Sequence, residues 1–331
     1  MSLKKIYLGY NTDSNIRTQS SSGGLFYELA MNILKIKGVV YGAAFSTDFS
    51  VEHIRVTQED EVKRLLRSKY VQSNMKNVYI SLKNDLEQGK IVLFSGTPCQ
   101  VKAVLNYIIN NKMSVDNLYL IDFVCHGVPS PKVWKSYLNR ISRNKIISEI
   151  NFRDKNNSGW HDYYFQVKYK DNSQLNESHE LNSYMRTFLD DKNIRPSCYE
   201  CQFKDEKYYS DITLGDAWKV EKEKSDWADD KGTSIFIVRS AKGELLLQKI
   251  SEKFIFCETE YSKWEEYNPS IKKATDKPIE RAKFFEDFIG MDSENFWSKY
   301  SKIATKRKIR YKIKCLLKIT KIEKIVRRFV N

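Results

Sequence analysis

Two apolar runs in the middle of the chain each end in a short turn that carries a cysteine, and each turn leads into a segment with helical spacing. "IVLF" (91–94) passes through "SGTPC" into "QVKAVLNYII", and "NLYLIDFV" (117–124) passes through "CHGVPSP" into "KVWKSYLNRI". A short, unbroken apolar run bounded by glycine or proline reads as a strand buried on both faces. Strand–turn–helix twice in succession predicts a parallel α/β layer with right-handed crossovers. Cys99 and Cys125 then sit near each other at the carboxyl edge of that layer, where open α/β sheets gather their ligands.

The flanking segments extend this reading. "KKIYLGY" is a short strand, and "TQSSSGG" is a polar turn opening a helix with apolar Leu25, Phe26, Leu29, Ala30, Ile33 and Leu34. "VVYGAAF" is a buried strand, and the following stretch to Lys90 reads as one or two helices interrupted at "RSKYVQS". After residue 145 the pattern alternates as in antiparallel strands, followed by a short helix at "SYMRTFLDD" and a strand and helix in "SIFIVRSAKGELLLQKI". The predicted fold class is α/β: a parallel strand–turn–helix layer with an attached mixed or antiparallel α+β region and a C-terminal basic helix. The expected regions are 1–115, 116–270 and 271–331.

Charge is unevenly distributed. Of the net +14, the segment from Lys299 to Arg328 carries +12, with 13 Lys and Arg against the single acid Glu323, so the body is nearly neutral. That argues against nucleic acid as a partner of the body and moves the question of an anionic partner to the tail. No apolar run is long enough to span a bilayer, and the N-terminus lacks the apolar core of a secretory signal. The expected compartment is the cytoplasm, where thiols stay reduced and six cysteines suggest metal, redox chemistry or burial.

Cys198 and Cys201 form one Cys-x-x-Cys pair in "RPSCYECQFKDEKYYSDITLGDAW". With Cys99 and Cys125 they make four thiolates, which suit tetrahedral zinc or an iron–sulfur cluster. Taken alone, a cysteine after a strand is equally a small buried hydrophobe. Cys257 reads as a core residue and Cys315 as part of a helix face.

The blocks "SSSGGLFYELA", "GVVYGAAF", "RSKYVQS", "LFSGTPCQ", "DFVCHGVPSPKVW", "INFRDKNNSGW" and the cysteine-pair stretch follow one another in order. In this they resemble the coenzyme F420 hydrogenase/dehydrogenase beta-subunit family, from about residue 6 to 220 and more weakly to about 270. The resemblance implies a flavoprotein with one [4Fe–4S] cluster near FAD. Its cluster ligands would be Cys99, Cys125, Cys198 and Cys201. Its flavin-binding blocks would be Ser21, Ser22, Gly23 and Gly24, then Ser68, Lys69, Tyr70 and Ser73, then the turn Thr97–Pro98. In the archaeal members the hydride acceptor is the deazaflavin coenzyme F420.

Each of these residues also has a plainer reading. Ser22 alone suits a helix N-cap, Lys69 a solvated helix face, and His126 a turn, although beside Cys125 it is also a proton-relay candidate. Asp216 either supports Cys201 or caps a turn. No cysteine precedes Cys99, so the resemblance implies a single cluster and a separate electron donor such as a ferredoxin. Short stand-alone relatives of this kind resemble proteins of bacterial surface-polysaccharide gene sets, which makes a sugar or lipid-linked glycan the expected substrate class.

The tail reads as a basic amphipathic segment with two apolar half-stripes: Ile309, Ile313, Leu316 and Leu317, then Ile319, Ile322, Val326 and Phe329. Such a segment suits an anionic membrane surface, which would put the protein at the inner face of the membrane; the alternative is a helix docked on the body. The competing functional class is a non-catalytic binding or assembly protein with a structural four-cysteine zinc site and a membrane-docking tail. A third is the flavin fold without its cluster, acting as a scaffold.

Overall fold

The computed structural model describes residues 5–156, 158–204, 208–250 and 252–319. In chain order its strands are β1 (Lys5–Asn11), β2 (Val39–Phe45), β3 (Val51–Val56), β4 (Val92–Ser95), β5 (Leu118–Phe123), β6 (Ile147–Asp154), β7 (Tyr164–Tyr169), β8 (Gln174–Ser178), β9 (Ile212–Asp216), β10 (Ser234–Val238) and β11 (Phe254–Thr259). Eight of them form one sheet in the order β11-β1-β10-β9-β5-β4-β2-β3, and β6-β7-β8 form a separate antiparallel sheet. The middle of the large sheet, β2-β4-β5-β9, is parallel, and both edges are antiparallel. The two strand–turn–helix repeats are present: β4 leads into the helix Pro98–Asn110 and β5 into the helix Pro131–Ile141.

Burial on both faces explains the unbroken apolar runs. In β4, Val92 and Phe94 share a core with Leu82 and Val101 from the helices Val78–Glu87 and Pro98–Asn110. Leu93, one residue out of phase, packs instead with Leu29 and Ile33 of the helix Leu25–Lys35, as the two-residue period of a strand requires. Strands from both sides of residue 115 contribute to this sheet.

The small sheet has its own, largely aromatic core. Trp134 is 1% exposed and meets Phe152 at 5.0 Å and Tyr184 at 4.8 Å between ring centroids. Its indole Nε1 donates to the Phe49 carbonyl at 2.7 Å, which ties this core to the loop after β2. Trp297, Phe284 and Phe296 from the helices Arg281–Gly290 and Ser293–Ser301 complete the cluster.

Three elements go beyond the pattern read from sequence. β3 is an edge strand in which Glu52 and Arg55 interrupt the apolar positions, so its alternation is weak. A six-residue helix, Ser14–Gln19, starts from an Asp13 cap within the polar turn. The stretch "DITLGD" supplies β9, the strand that closes the parallel core against β5.

The C-terminal helix Thr305–Ile319 lies on the body with its basic side inward. Arg307 pairs with Asp190 at 2.7 Å, and Lys314 with Glu180 at 2.6 Å and with Asp162. Ile309, Ile313 and Leu316 of the first expected half-stripe are all exposed. Ile322, Val326 and Phe329 of the second lie outside the described residues.

Trp134 fills the centre of the smaller core and satisfies a backbone carbonyl. Trp134→Ala should therefore cost about 3–5 kcal/mol in urea unfolding. A loss below about 1 kcal/mol would mean that the aromatic cluster does not carry this half of the molecule.

Candidate functional site

The four predicted thiols arrive from three separate segments. Thr97 caps the helix Pro98–Asn110, with Pro98 in its first position, so Cys99 lies in the first helical turn rather than in the loop before it. Cys125 follows β5, the parallel neighbour of β4. The chain 191–195 then pairs back along the turn 126–130: Arg195 N donates to Val128 O at 2.9 Å, Ser130 N to Asn193 O at 2.9 Å, and Pro129 bridges Ile194. This carries the short turn Pro196–Cys198, and Cys201 after it, to the Cys125 loop.

The thiols feel one another. Cys99 and Cys198 both act on Cys125, and Cys99 and Cys201 both act on Cys198. Burial pushes the Cys125 thiol up to about 12, opposed by the ammonium of Lys204 and the Gly127 amide. Burial likewise raises Cys198, opposed by the Val128 amide. Lys204 Nζ donates to the carbonyls of Cys125 and, at 2.8 Å, of Ser270. Among the described residues, no three or more His, Cys, Asp or Glu side chains are gathered closely enough for a single metal ion. Gly127 is required here: its φ is +147°, and a Cβ would meet Ile194 Cδ1 at 2.9 Å.

A chain of hydrogen bonds runs from Cys99 into the sheet. Thr97 Oγ1 lies 3.1 Å from Cys99 Sγ and donates to Gln100 Oε1 at 3.1 Å. Gln100 Nε2 donates to Ser73 Oγ at 2.9 Å, and Ser73 Oγ is 2.9 Å from His53 Nδ1. His53 Nε2 is 3.0 Å from the Ser95 carbonyl. A carbonyl only accepts, so Nε2 carries the proton and Nδ1 accepts from Ser73.

Other predicted residues meet at the far end of the same loop. Ser21 Oγ and Ser68 Oγ are 2.8 Å apart, so the segment from Ser68 to Ser73 links the Ser-Ser-Gly-Gly turn to the Cys99 turn. Ser22 does not cap the following helix: its hydroxyl donates to Thr233 O at 2.7 Å, and the cap is Gly24 at φ +93°. Gly23 lies flush on the sheet, where a Cβ would meet Gly9 O at 2.4 Å, and its amide donates to Ser234 Oγ at 2.9 Å. Lys69 is not solvated. Its half-buried ammonium donates to Leu66 O at 2.8 Å and Arg67 O at 3.2 Å, and is brought down to about 7, chiefly by desolvation. The Tyr70 ring stacks on Phe188 at 4.7 Å, and Phe188 lies edge-on to His126 at 5.4 Å. His126 Nε2 is 2.5 Å from Asp191 Oδ1, with its side chain partly exposed.

Asp216 turns out to be the ion-pair partner of Arg153, at 2.8 Å. Arg153 lies within "INFRDKNNSGW", yet alternation alone does not mark it as a site residue. His53, Gln100, Asp191, Arg153 and Lys155 are likewise not evident from sequence. Cys257, on β11, and Cys315, on the C-terminal helix, stay apart from the four thiols.

The family model for the C terminus of the beta subunit of coenzyme F420 hydrogenase/dehydrogenase matches residues 89–263. Among solved structures, a chain of the F420-reducing [NiFe] hydrogenase complex from Methanosarcina barkeri is similar in fold. It has a TM-score of 0.55 at 15% identity, covering 87% of this chain and 93% of that one. No curated protein matches the sequence.

Burial holds the His53 pKa down at about 4, against about 6.5 in an unfolded chain. As pH falls, the unfolded chain takes up this proton first, so His53 withdraws stability between about pH 6.5 and 4, on the order of 3 kcal/mol in all. His53→Gln should flatten this part of the stability-against-pH curve in urea titrations. Parallel curves for the two proteins would contradict a neutral, buried His53.

Proposed function

Because the chain belongs to the coenzyme F420 hydrogenase/dehydrogenase beta-subunit family, a family of oxidoreductases that bind iron–sulfur clusters, we propose that it is an iron–sulfur flavoprotein moving electrons between a separate donor and a bound substrate. The observation that carries this reading is one loop with two attachments. Ser68 meets Ser21, while Ser73 reaches Thr97 and Cys99 through Gln100.

Cys99, Cys125, Cys198 and Cys201 would hold a [4Fe–4S] cluster; their all-sulfur donor set and mutual electrostatic reach suit it. The segments Ser21–Gly24 and Ser68–Ser73, with Thr97 and Pro98, would hold FAD, and the half-buried Lys69 with the buried Arg153 and Lys155 suit its negative groups. When bound, the cluster supplies single-electron exchange and the flavin supplies hydride chemistry.

The chain's own groups have distinct tasks. Lys204 and the Gly127 and Val128 amides offset thiolate charge at Cys125 and Cys198. Asp191 orients the imidazole of His126, which can hold a proton at the partly exposed rim beside Cys125.

The donor in this proposal is a separate ferredoxin-type protein. No helix among the described residues is long and apolar enough to cross a membrane. The exposed Ile309, Ile313 and Leu316, on a helix carrying Lys308, Arg310 and Lys312, suit contact with an anionic lipid surface. A protein held there, at the inner face of the membrane, suits a sugar or lipid-linked glycan as substrate.

Protein purified without oxygen should be brown, bleach with dithionite, release a yellow flavin, and contain about four iron and four sulfide per chain. Cys198→Ser should lose most of that iron and sulfide. A colourless protein with one zinc would overturn the redox reading, and full iron in the variant would overturn the ligand assignment. For the tail, Ile313→Asp should weaken co-sedimentation with anionic vesicles by about tenfold. Equal binding by both proteins would remove the helix as the membrane contact.

A further inference from the structure

We propose that Arg153 and Lys155, beside the Ser21–Ser22 turn, form a buried receptor for an oxyanion of the phosphate or carboxylate type. Arg153 lies at the end of β6, where the pairing with β7 slips between Asn151 and Asp154. Irregularities of this kind re-aim side chains, and here Arg153 points inward with its side chain 2% exposed. Nη1 donates to Asp216 Oδ2 at 2.8 Å, and the guanidinium carbon lies 4.8 Å from the Tyr163 ring centroid and 5.5 Å from that of Trp218. Nε and Nη2 are buried and have no acceptor.

Those two nitrogens share one edge of the guanidinium, and their N–H bonds form a parallel fork matched to two oxygens on one phosphorus or carbon. At Arg55 and Arg17 the corresponding nitrogens are filled. Arg55 gives Nε and Nη2 to Asp85 at 2.7 and 2.8 Å. Arg17 gives Nη1 and Nη2 to Asp229, both at 2.7 Å, and Nε to Gly232 O.

The local charge points the same way. Lys155 is 7% exposed and donates only to carbonyls: Arg17 O at 2.7 Å, Lys231 O at 2.8 Å and Ser22 O at 3.4 Å. Burial lowers its pKa to about 7, with Arg153, Arg17 and Arg67 pressing further and Asp216 alone opposing. Arg17, Arg67 and Arg153 each have a carboxylate in Asp229, Glu149 and Asp216. Lys155 has none among the described residues. The nearby Asp154 carboxyl is engaged by the Asn151 and Asn156 amides at 3.3 and 2.8 Å. An oxyanion in the Arg153 fork supplies both the missing acceptors and the missing negative charge.

The receptor stands on these contacts alone; only the carrier of the anion depends on the redox reading. It is either the phosphate of the bound flavin or an anionic group of the substrate. The test compares the protein as isolated with Arg153→Lys, which keeps the charge and removes the fork. Lys155→Gln, which keeps an amide donor for the carbonyls and removes the charge, serves as the second variant. Flavin per chain, iron and sulfide, and the rise in thermal midpoint with inorganic pyrophosphate are measured on each, with circular dichroism to establish folding.

If the anion is the flavin's, both variants lose flavin by about tenfold and keep their iron. If it is the substrate's, flavin is kept, and pyrophosphate stabilises the parent protein but neither variant. If the parent holds no flavin, so that the redox reading fails, loss of the pyrophosphate response in the variants still supports the receptor. Unchanged flavin content and an unchanged pyrophosphate response in the folded variants overturn it.

Discussion

The site depends on the parallel pairing of β4 with β5. Their register sets Ser95 opposite Ile121, so Cys99 and Cys125, each four residues beyond that pair (99 − 95 and 125 − 121), leave neighbouring strands from the same carboxyl edge. Each turn then enters a helix with proline in its first turn, where the missing amide proton costs nothing and φ is already helical. Both strands are buried on two faces, so a one-residue slip would exchange the side chains of two differently packed cores.

Much of this was legible because the signals were local and strong. Apolar runs such as "LYLIDF" and the helix spacing around Val101, Val104 and Ile108 belong to single elements, and the two crossovers follow from chain order alone. The grouping of Cys99 with Cys125 needed only the sheet-edge argument. Bringing in Cys198 and Cys201 by geometry required the pairing of 126–130 with 191–195. Two segments of mixed loop residues with no periodicity give no sign in sequence that they will pair.

The groups around the thiols were harder to read for a different reason. His53 sits in a weakly alternating edge strand, and Arg153 occupies an inward position at an irregular strand end. Both are polar residues where the pattern rule expects apolar ones, and sequence alone does not distinguish them from outward residues. The Ser-Ser-Gly-Gly turn shows the opposite failure. Its glycines suggest free amides, whereas Gly23 is needed mainly for close approach to β1 and Gly24 for its left-handed backbone.

The position of the small sheet in the chain bears on how the molecule assembles. All of β6, β7 and β8 lies between Cys125 and Cys198. The turns carrying Cys99 and Cys125 are set side by side as soon as β4 and β5 associate, but the segment carrying Cys198 returns to the 126–130 turn only across an entire aromatic-cored unit. Bringing such distant points together carries a loop-closure entropy that neighbouring strands avoid. A chain in which the Cys198 segment lies along the 126–130 turn therefore already has its small sheet in place.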